Sequence, residues 1–300
     1  MKDIRSLSFD EIIVSEQYKK FSEIKYIVSD IDGTLTSQKL PIMTQIKEKS
    51  ARLKELNVIT TIATGRPYRG TYDIIKDLGI SKGIPIALYN GGLVLEYMTG
   101  RILDKHIISY NIARNVIDIV SQYGVGIYAY VCDNLESQIV LNLNERVLYF
   151  GKKRISVDVN GFEVIPLTDL TLKANKIVSI LIEKKELPYI AYYNMITYLN
   201  TNKDISYTDS GNGFIEICGT RNKKSMLVRE IRNRDKVGKI LAIGDNDNDV
   251  DLFEAADMSI AVANSSIKAK NAADYVSSMD GELGYLEMLM VVEYAKHHLE

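Results

Sequence analysis

The chain has 300 residues, 46% of them hydrophobic and 25% charged, the balance of a globular protein that can bury a core without disulfides or a structural metal. A formal net charge of −2, with no Lys/Arg run that stands out as a nucleic-acid footprint and no nucleic-acid-binding module, argues against nucleic acid as a partner. Two isolated cysteines, Cys132 and Cys218, support neither zinc nor thiol redox chemistry and fit a reducing compartment.

The N-terminus up to Glu23 mixes charges and lacks the apolar stretch of a signal peptide. No segment is apolar over the length of a membrane span, so a cytoplasmic protein without membrane contact is expected. Phe9, Ile12, Ile13, Tyr18 and Phe21 sketch an amphipathic helix with imperfect spacing. From Ile24 onward strands and helices alternate. Ile24–Ser29 is a β-rich run ending in Asp30, and Pro41–Leu56 is predicted as a helix with Ile42, Ile46, Leu53 and Leu56 in one stripe. Val58–Ala63 is the next expected strand, Pro67–Leu78 the next helix, closed by Gly79, and Ile84–Tyr89 the third strand. This rhythm predicts a parallel sheet with helices on both faces.

The rhythm breaks after Asn90-Gly91-Gly92. Leu93–Tyr97 and Arg101–Asp104 flank a turn and read as a hairpin, followed by a helix over Tyr110–Tyr123. Short strands are expected at Val125–Val131, Gln138–Leu143, Lys176–Ile182, Thr197–Asn200 and Phe214–Ile217. The alternation then returns: helix Lys223–Arg234, strand Lys239–Ile243, helix Val250–Ala255, strands Ser259–Val262 and Tyr275–Val276, and a last helix Leu283–Tyr294. The expected layout is a discontinuous core, 1–91 and 219–300, with an N-terminal extension over 1–23 and an inserted α+β unit over 92–218.

Chemistry concentrates at the ends of the core strands. Ser29-Asp30-Ile31-Asp32-Gly33-Thr34-Leu35-Thr36 places two acids one residue apart directly after a strand, and open α/β sheets bind ligands at that edge. An isolated Asp-x-Asp is usually a polar turn; the full string after a strand is not. Gly244-Asp245-Asn246-Asp247-Asn248-Asp249 also follows a strand, and its alternating acids suit a hard cation. It is no EF-hand, because Val250 stands where the loop needs Gly and Ala256 where it needs Glu. Helix-dipole preference accounts for one or two acids there, but not for three with two Asn. Ala63-Thr64-Gly65-Arg66 offers a hydroxyl and helix N-terminal amides to a phosphate, although Thr is also an ordinary N-cap. Lys223-Lys224 opens the helix after the inserted unit.

Taken together, these segments resemble the haloacid dehalogenase superfamily of phosphohydrolases, in its Cof-type branch with a large α/β cap. Softer matches are Ala63-Thr64-Gly65-Arg66-Pro67, Tyr89-Asn90-Gly91-Gly92, Phe214-Ile215-Glu216-Ile217, Ile260-Ala261-Val262-Ala263-Asn264 and Asp280-Gly281. The resemblance implies a Rossmann-like core with the inserted unit as a cap that closes over the site. It implies Asp30 as nucleophile and Asp32 as general acid/base. Thr64 and Lys223 would bind the phosphoryl group, with Gly65, Arg66, Asn90 and Asn248 as further substrate-side residues. Asp30, Asp245, Asp249 and the carbonyl of Asp32 would hold Mg²⁺. Lys223 is preferred to Lys224 because the family follows its lysine with a small residue, yet Lys224 stands where the family has Gly. The implied substrate is a small phosphorylated metabolite such as a sugar phosphate. A sugar phosphomutase and a non-catalytic phosphosugar-binding regulator are the alternatives, and monomer or homo-oligomer is undecided.

Elementary chemistry agrees with these roles. Phosphate monoesters are so inert that enzymes accelerate their hydrolysis by up to about 10²¹-fold, which demands charge neutralisation at the phosphoryl oxygens. An aspartate, with a reference pKa of about 3.9, is ionised at pH 7 and can attack without a base. Asp32 must instead be protonated to serve a leaving oxygen, at a cost of roughly 4 kcal/mol near pH 7. Neighbouring carboxylates and burial under a cap would both favour that state. Tyr128 and Tyr130 alternate on a cap strand, where packing is the simpler account.

Overall fold

The computed structural model describes residues 6–36, 42–133, 135, 143–151, 161–185, 187–209, 213–219 and 223–298. The chain opens with β1 (Ser6–Leu7), α1 (Phe9–Val14) and a 3₁₀ turn over Gln17–Phe21, then β2 (Ile24–Ser29), α2 (Ile42–Glu55), β3 (Ile59–Ile62), α3 (Tyr72–Asp77) and β4 (Pro85–Leu88). The inserted region holds β5 (Leu93–Glu96), β6 (Ile102–Lys105), α4 (Tyr110–Ser121), β7 (Ile127–Cys132), β8 (Glu145–Phe150), β9 (Glu163–Pro166), α5 (Asp169–Ala174), β10 (Ile177–Glu183), α6 (Tyr189–Thr201), β11 (Ile205–Asp209) and β12 (Phe214–Gly219). The return comprises α7 (Ser225–Arg234), β13 (Lys239–Gly244), α8 (Val250–Ala255), β14 (Met258–Ala261), α9 (Ile267–Ala272), β15 (Tyr275–Ser277) and α10 (Gly281–His297). Contacts divide the chain into two units: Met1–Gly65, Gly70–Ala87 and Lys223–Glu300 form one, Arg66–Arg69 and Leu88–Asn222 the other.

The first unit carries a six-stranded sheet in the order β1-β15-β14-β13-β2-β3, parallel throughout. Its central strands are apolar and buried on both faces, as a parallel sheet requires. From β2 the chain steps to β3 on one side, while β13 steps to β14 and β15 on the other. Right-handed crossovers in opposite directions put their helices on opposite faces. Accordingly α2 packs on α10, and α7 on α8. The direction reverses between β2 and β13, and the crevice at their carboxyl ends is where such sheets bind ligands.

The N-terminal extension belongs to this unit. β1 lies parallel to β15, Ser6 opposite Val276 and Leu7 opposite Ser277. Ser8 and Glu11 form a capping box at the start of α1. The expected single helix is broken at Glu16, whose φ of 57° is left-handed, and the backbone then tightens into the 3₁₀ turn. Ile12 and Phe21 are fully buried, Phe9 and Tyr18 meet the Tyr294 ring edge-on, and Phe9 donates its N–H to Glu287 of α10 at 3.0 Å. The segment thus covers an edge of its own sheet.

The second unit is built on a separate six-stranded sheet, order β11-β12-β10-β7-β8-β9, antiparallel except for the β8–β9 pair. Ile127, Ala129, Val131, Ile180, Ile182, Ile215 and Ile217 alternate along these strands and form one core with α4 and α6. Three strands, β8, β9 and β11, went unread, and the strand expected at Thr197–Asn200 is helix. Its local residues are β-branched and aromatic, but Ala191, Met195 and Leu199 recur at helical spacing and are the buried side of α6. The strand expected at Gln138–Leu143 falls almost wholly outside the described residues. Tyr128 is fully buried, packs against Tyr149 and Phe214, and donates its hydroxyl to Glu183 at 2.9 Å.

Candidate active site

β2 and β13 run side by side with Ser29 opposite Ile243, and the ladder continues one step as Asp30 donates its N–H to the Ile243 carbonyl at 3.0 Å. Asp30 and the Gly244-Asp245 corner therefore leave the sheet at the same edge. Carboxylate oxygens of Asp30, Asp245 and Asp249 all lie within 4.8 Å of one another. Two glycines make this approach feasible. A Cβ on Gly33, whose φ is +82°, would stand 2.3 Å from an Asp245 oxygen, and one on Gly244 would stand 2.5 Å from the Asp249 carboxyl carbon. Thr34 donates its hydroxyl to Asp245 at 3.0 Å. The other Asp249 oxygen accepts the N–H groups of Asp245 and Asn246, both at 3.0 Å.

One cation serves this cluster among the described residues. Lys224, with a side chain 0% exposed, places Nζ 2.8 Å from Asp30 and 2.7 Å from Asp249. Lys223, the lysine preferred from sequence, is exposed and outside the cluster. Lys224 lies on the same stripe as Leu227, Val228 and Ile231, the buried side of α7, so the phase of the helix turns it inward and Lys223 outward. That spacing was present in the sequence and was the signal to follow. The helix start is fixed by Asp251, which accepts the Ser225 N–H at 2.9 Å.

Three carboxylates facing one ammonium leave the cluster over-negative. Burial, reinforced by Asp249 and Asp245, pushes the Asp30 carboxyl up to about 8 against the pull of Lys224. Burial and then Asp249 push Asp245 up to about 6. Burial opposes the Lys224 charge, yet Asp249 and Asp30 together hold it above the ordinary lysine range. Such a buried set of hard oxygen donors, short of positive charge, fits a divalent cation of the magnesium class. The ionised Asp30 expected from its reference pKa thus needs more positive charge than Lys224 supplies.

The remaining expected residues divide. Thr64 is buried at the same sheet edge, since Ala63 donates its N–H to Ser29 at 2.9 Å and Thr64 follows as Asp30 follows Ser29. Asn248 sits half-buried on the turn Asp247–Asp249. Asp32 is exposed on the turn that follows β2. Gly65 ends its stretch of the first unit, whereas Arg66 and Asn90 belong to the second. The Asn90 side chain donates to buried Glu216 at 2.9 Å, and the Arg66 carbonyl accepts the Tyr89 N–H. The helix expected from Pro67 begins only after a 3₁₀ turn at Arg69–Thr71, and the Tyr68 and Arg69 amides are bound by Glu145 at 2.7 and 2.9 Å. No helix N-terminus therefore stands at Thr64 to complete a phosphate cradle.

Residues 27–289 match the family model for haloacid dehalogenase-like hydrolases. The chain belongs to that family. Among its relatives is a Bacillus subtilis protein named 5-amino-6-(5-phospho-D-ribitylamino)uracil phosphatase YwtE, 25% identical over 91% of this chain and 100% of the relative. A haloacid dehalogenase-like hydrolase from Bacteroides thetaiotaomicron superposes with a TM-score of 0.70 at 20% identity, covering 89% of this chain and 98% of that one. The subclass IIB sugar phosphatase BT4131 superposes at 0.67 and 16% identity, covering 91% and 98%. The fold expected from sequence, a Rossmann-like parallel core with an inserted α+β region, is borne out by these neighbours. This hydrolase is a phosphatase of the haloacid dehalogenase type. No helix among the described residues is long and apolar enough to cross a membrane.

Proposed function

We propose that this hydrolase releases phosphate from a small phosphorylated metabolite, a sugar phosphate or a close analogue, through an aspartyl-phosphate on Asp30 with Mg²⁺ as cofactor. The observation that carries the reading is the contact of wholly buried Lys224 with Asp30 inside a three-carboxylate cluster. An Asp30 oxygen attacks phosphorus as the bond to the leaving oxygen breaks, and Asp32 gives that oxygen a proton. A water molecule then attacks the same phosphorus, Asp32 takes its proton, and Asp30 departs as carboxylate. Lys224 and the Thr64 hydroxyl hold the phosphoryl oxygens. Asp30, Asp245, Asp249 and the Asp32 carbonyl hold the cation, with Asn248 in support. Bound there, Mg²⁺ supplies the positive charge that keeps Asp30 ionised and offsets the phosphoryl oxygens.

Two relatives support the substrate class, since one is named for a phosphorylated ribityl compound and another for sugar phosphates. The test is phosphate release from a panel of sugar phosphates and p-nitrophenyl phosphate, with and without Mg²⁺, for the natural protein and Asp30→Asn. Magnesium-dependent turnover lost in the variant is the expected result. Turnover that survives in Asp30→Asn would remove the aspartyl-phosphate route.

A further inference from the structure

The loop between β14 and α9 touches both acid loops of the first unit. Val262 donates its N–H to the Gly244 carbonyl at 3.2 Å, and the Ser265 hydroxyl reaches the same oxygen at 3.3 Å. Ser266 donates its N–H to the Asp245 carbonyl at 2.8 Å and its hydroxyl to Asp247 at 2.6 Å. Asn264 turns the other way. Its Nδ2 donates to the Gly33 carbonyl at 3.1 Å, while its Oδ1 accepts the N–H of Gly281, the first residue of α10, at 2.7 Å. The amide orientation follows from its partners, because a backbone N–H only donates and a carbonyl only accepts. An amide of this length serves both ends; an aspartate in its place could accept from Gly281 but not donate to Gly33.

We propose that Asn264 is a positioning residue for proton transfer, fixing the Gly33 end of the turn that carries Asp32. The inference rests on the role of Asp32 proposed above. Asp30 does not depend on this tether, being held by the Ile243 ladder bond and by Lys224. The turn beyond it is closed largely on itself, with the N–H groups of Thr34, Leu35 and Thr36 all directed at the Ile31 carbonyl. Side-chain bonds that tie that turn to the rest of the unit include Thr34 to Asp245 and Asn264 to Gly33. The first ends on the carboxylate cluster. The second is anchored on α10 and touches no carboxylate, so removing it in Asn264→Ala perturbs the turn without changing the charge of the site. General acid catalysis is sensitive to a displacement of this kind, because the acid must stay within hydrogen-bond reach of the leaving oxygen.

Leaving-group dependence tests the proposal. A p-nitrophenolate leaves with little protonation, whereas the alkoxide of a hexose or glycerol phosphate needs the proton. kcat/KM, which reads the phosphoryl-transfer step, is measured on both substrate types for Asn264→Ala, Asn264→Asp and Asp32→Asn. Both Asn264 variants are expected to lose roughly tenfold on the alkyl phosphate and less than about threefold on p-nitrophenyl phosphate, part of what a general acid supplies. Asp32→Asn is expected to show the same bias at larger magnitude. The side chain of Asn264 is exposed, and Asn264→Asp keeps the Gly281 bond, so a folded variant is available. Equal losses on both substrates in the Asn264 variants, or wild-type kinetics in Asn264→Asp, overturn the proposal while Asp32→Asn keeps its bias. Absence of bias in Asp32→Asn itself would instead overturn the role of Asp32 and the inference with it.

Discussion

Both units bury carboxylates, and one cluster in the first unit is treated in the opposite way to the buried glutamates of the second. In the second unit Glu145, Glu216 and Glu183 are each bound by neutral donors. Glu145 accepts from the Tyr89 hydroxyl at 2.6 Å and from the Tyr68 and Arg69 amides, Glu216 from Asn90 and Ser179, and Glu183 from Tyr128 and Gly126. In the first unit Asp30, Asp245 and Asp249 crowd one another around a single lysine. Satisfied carboxylates hold a structure together; under-compensated ones store a demand for positive charge. The contrast separates scaffold from site without reference to any relative.

The sharpest break of that comparison is at Asp30. Asp30→Asn should lower turnover by on the order of 10⁴-fold or more, as removal of a nucleophile does. Its metal-free thermal midpoint should stay level near neutral pH, where Asp30 is already largely protonated, and rise above about pH 8, where the crowded charge it removes would be present. A fall in midpoint would show that Asp30 is a scaffold carboxylate like those of the second unit.

Lys224 gives the next largest effect. Lys224→Met should cost about 3–5 kcal/mol in urea unfolding, because Asp30 and Asp249 lose a fully buried partner. Lys223→Met should stay within about 0.5 kcal/mol, as an exposed surface change does. Equal effects would mean that the two lysines share the site.

The pH dependence of the metal-free protein sharpens the contrast further. Asp30 and Asp245 have folded pKa values of about 8 and about 6, above their ordinary 3.8. Between the ordinary and folded values the native state binds more protons than the unfolded chain, so stability falls as pH rises from about 4 toward 8. Saturating Mg²⁺ should flatten that fall and raise the midpoint, by about 2.7 kcal/mol of added stability at a hundred times its dissociation constant. Unfolding curves at several pH values, with Mg²⁺ and with a chelator, measure both. A chelator-independent profile would count against a cation among these carboxylates.

The smallest effect belongs to the second unit. Glu145→Gln removes one acceptor from Tyr89, Tyr68 and Arg69, and should cost about 1–3 kcal/mol with no change in the Mg²⁺-induced shift of the midpoint. A lost shift would place Glu145 with the site instead of the scaffold.

Much of the core was readable without coordinates because its signals are local. Ile24–Ser29 and Val250–Ala255 are read with their observed bounds, since a β-rich run before an acid and an apolar stripe after one leave few alternatives. The acid strings at Asp30 and Asp245 were legible for the same reason: each follows its strand immediately. The second unit was less legible, its strands short, separated by long connections, and β-like at Thr197–Asn200 where packing makes a helix.

What local pattern could not contain was distance between segments far apart in the chain. Asp30 and Asp249 meet because β2 and β13 pair in one register, and Lys224 joins them through the rotation of α7. Gly244 is needed by a carboxylate five residues on, and Asn264 by a carbonyl at Gly33. Composition and order specified which groups the molecule owns and which strand ends they occupy. Packing alone set their separations, and with separation and burial came the charge imbalance on which the proposed chemistry depends, because electrostatic coupling is a property of distance and solvent exclusion, not of sequence order.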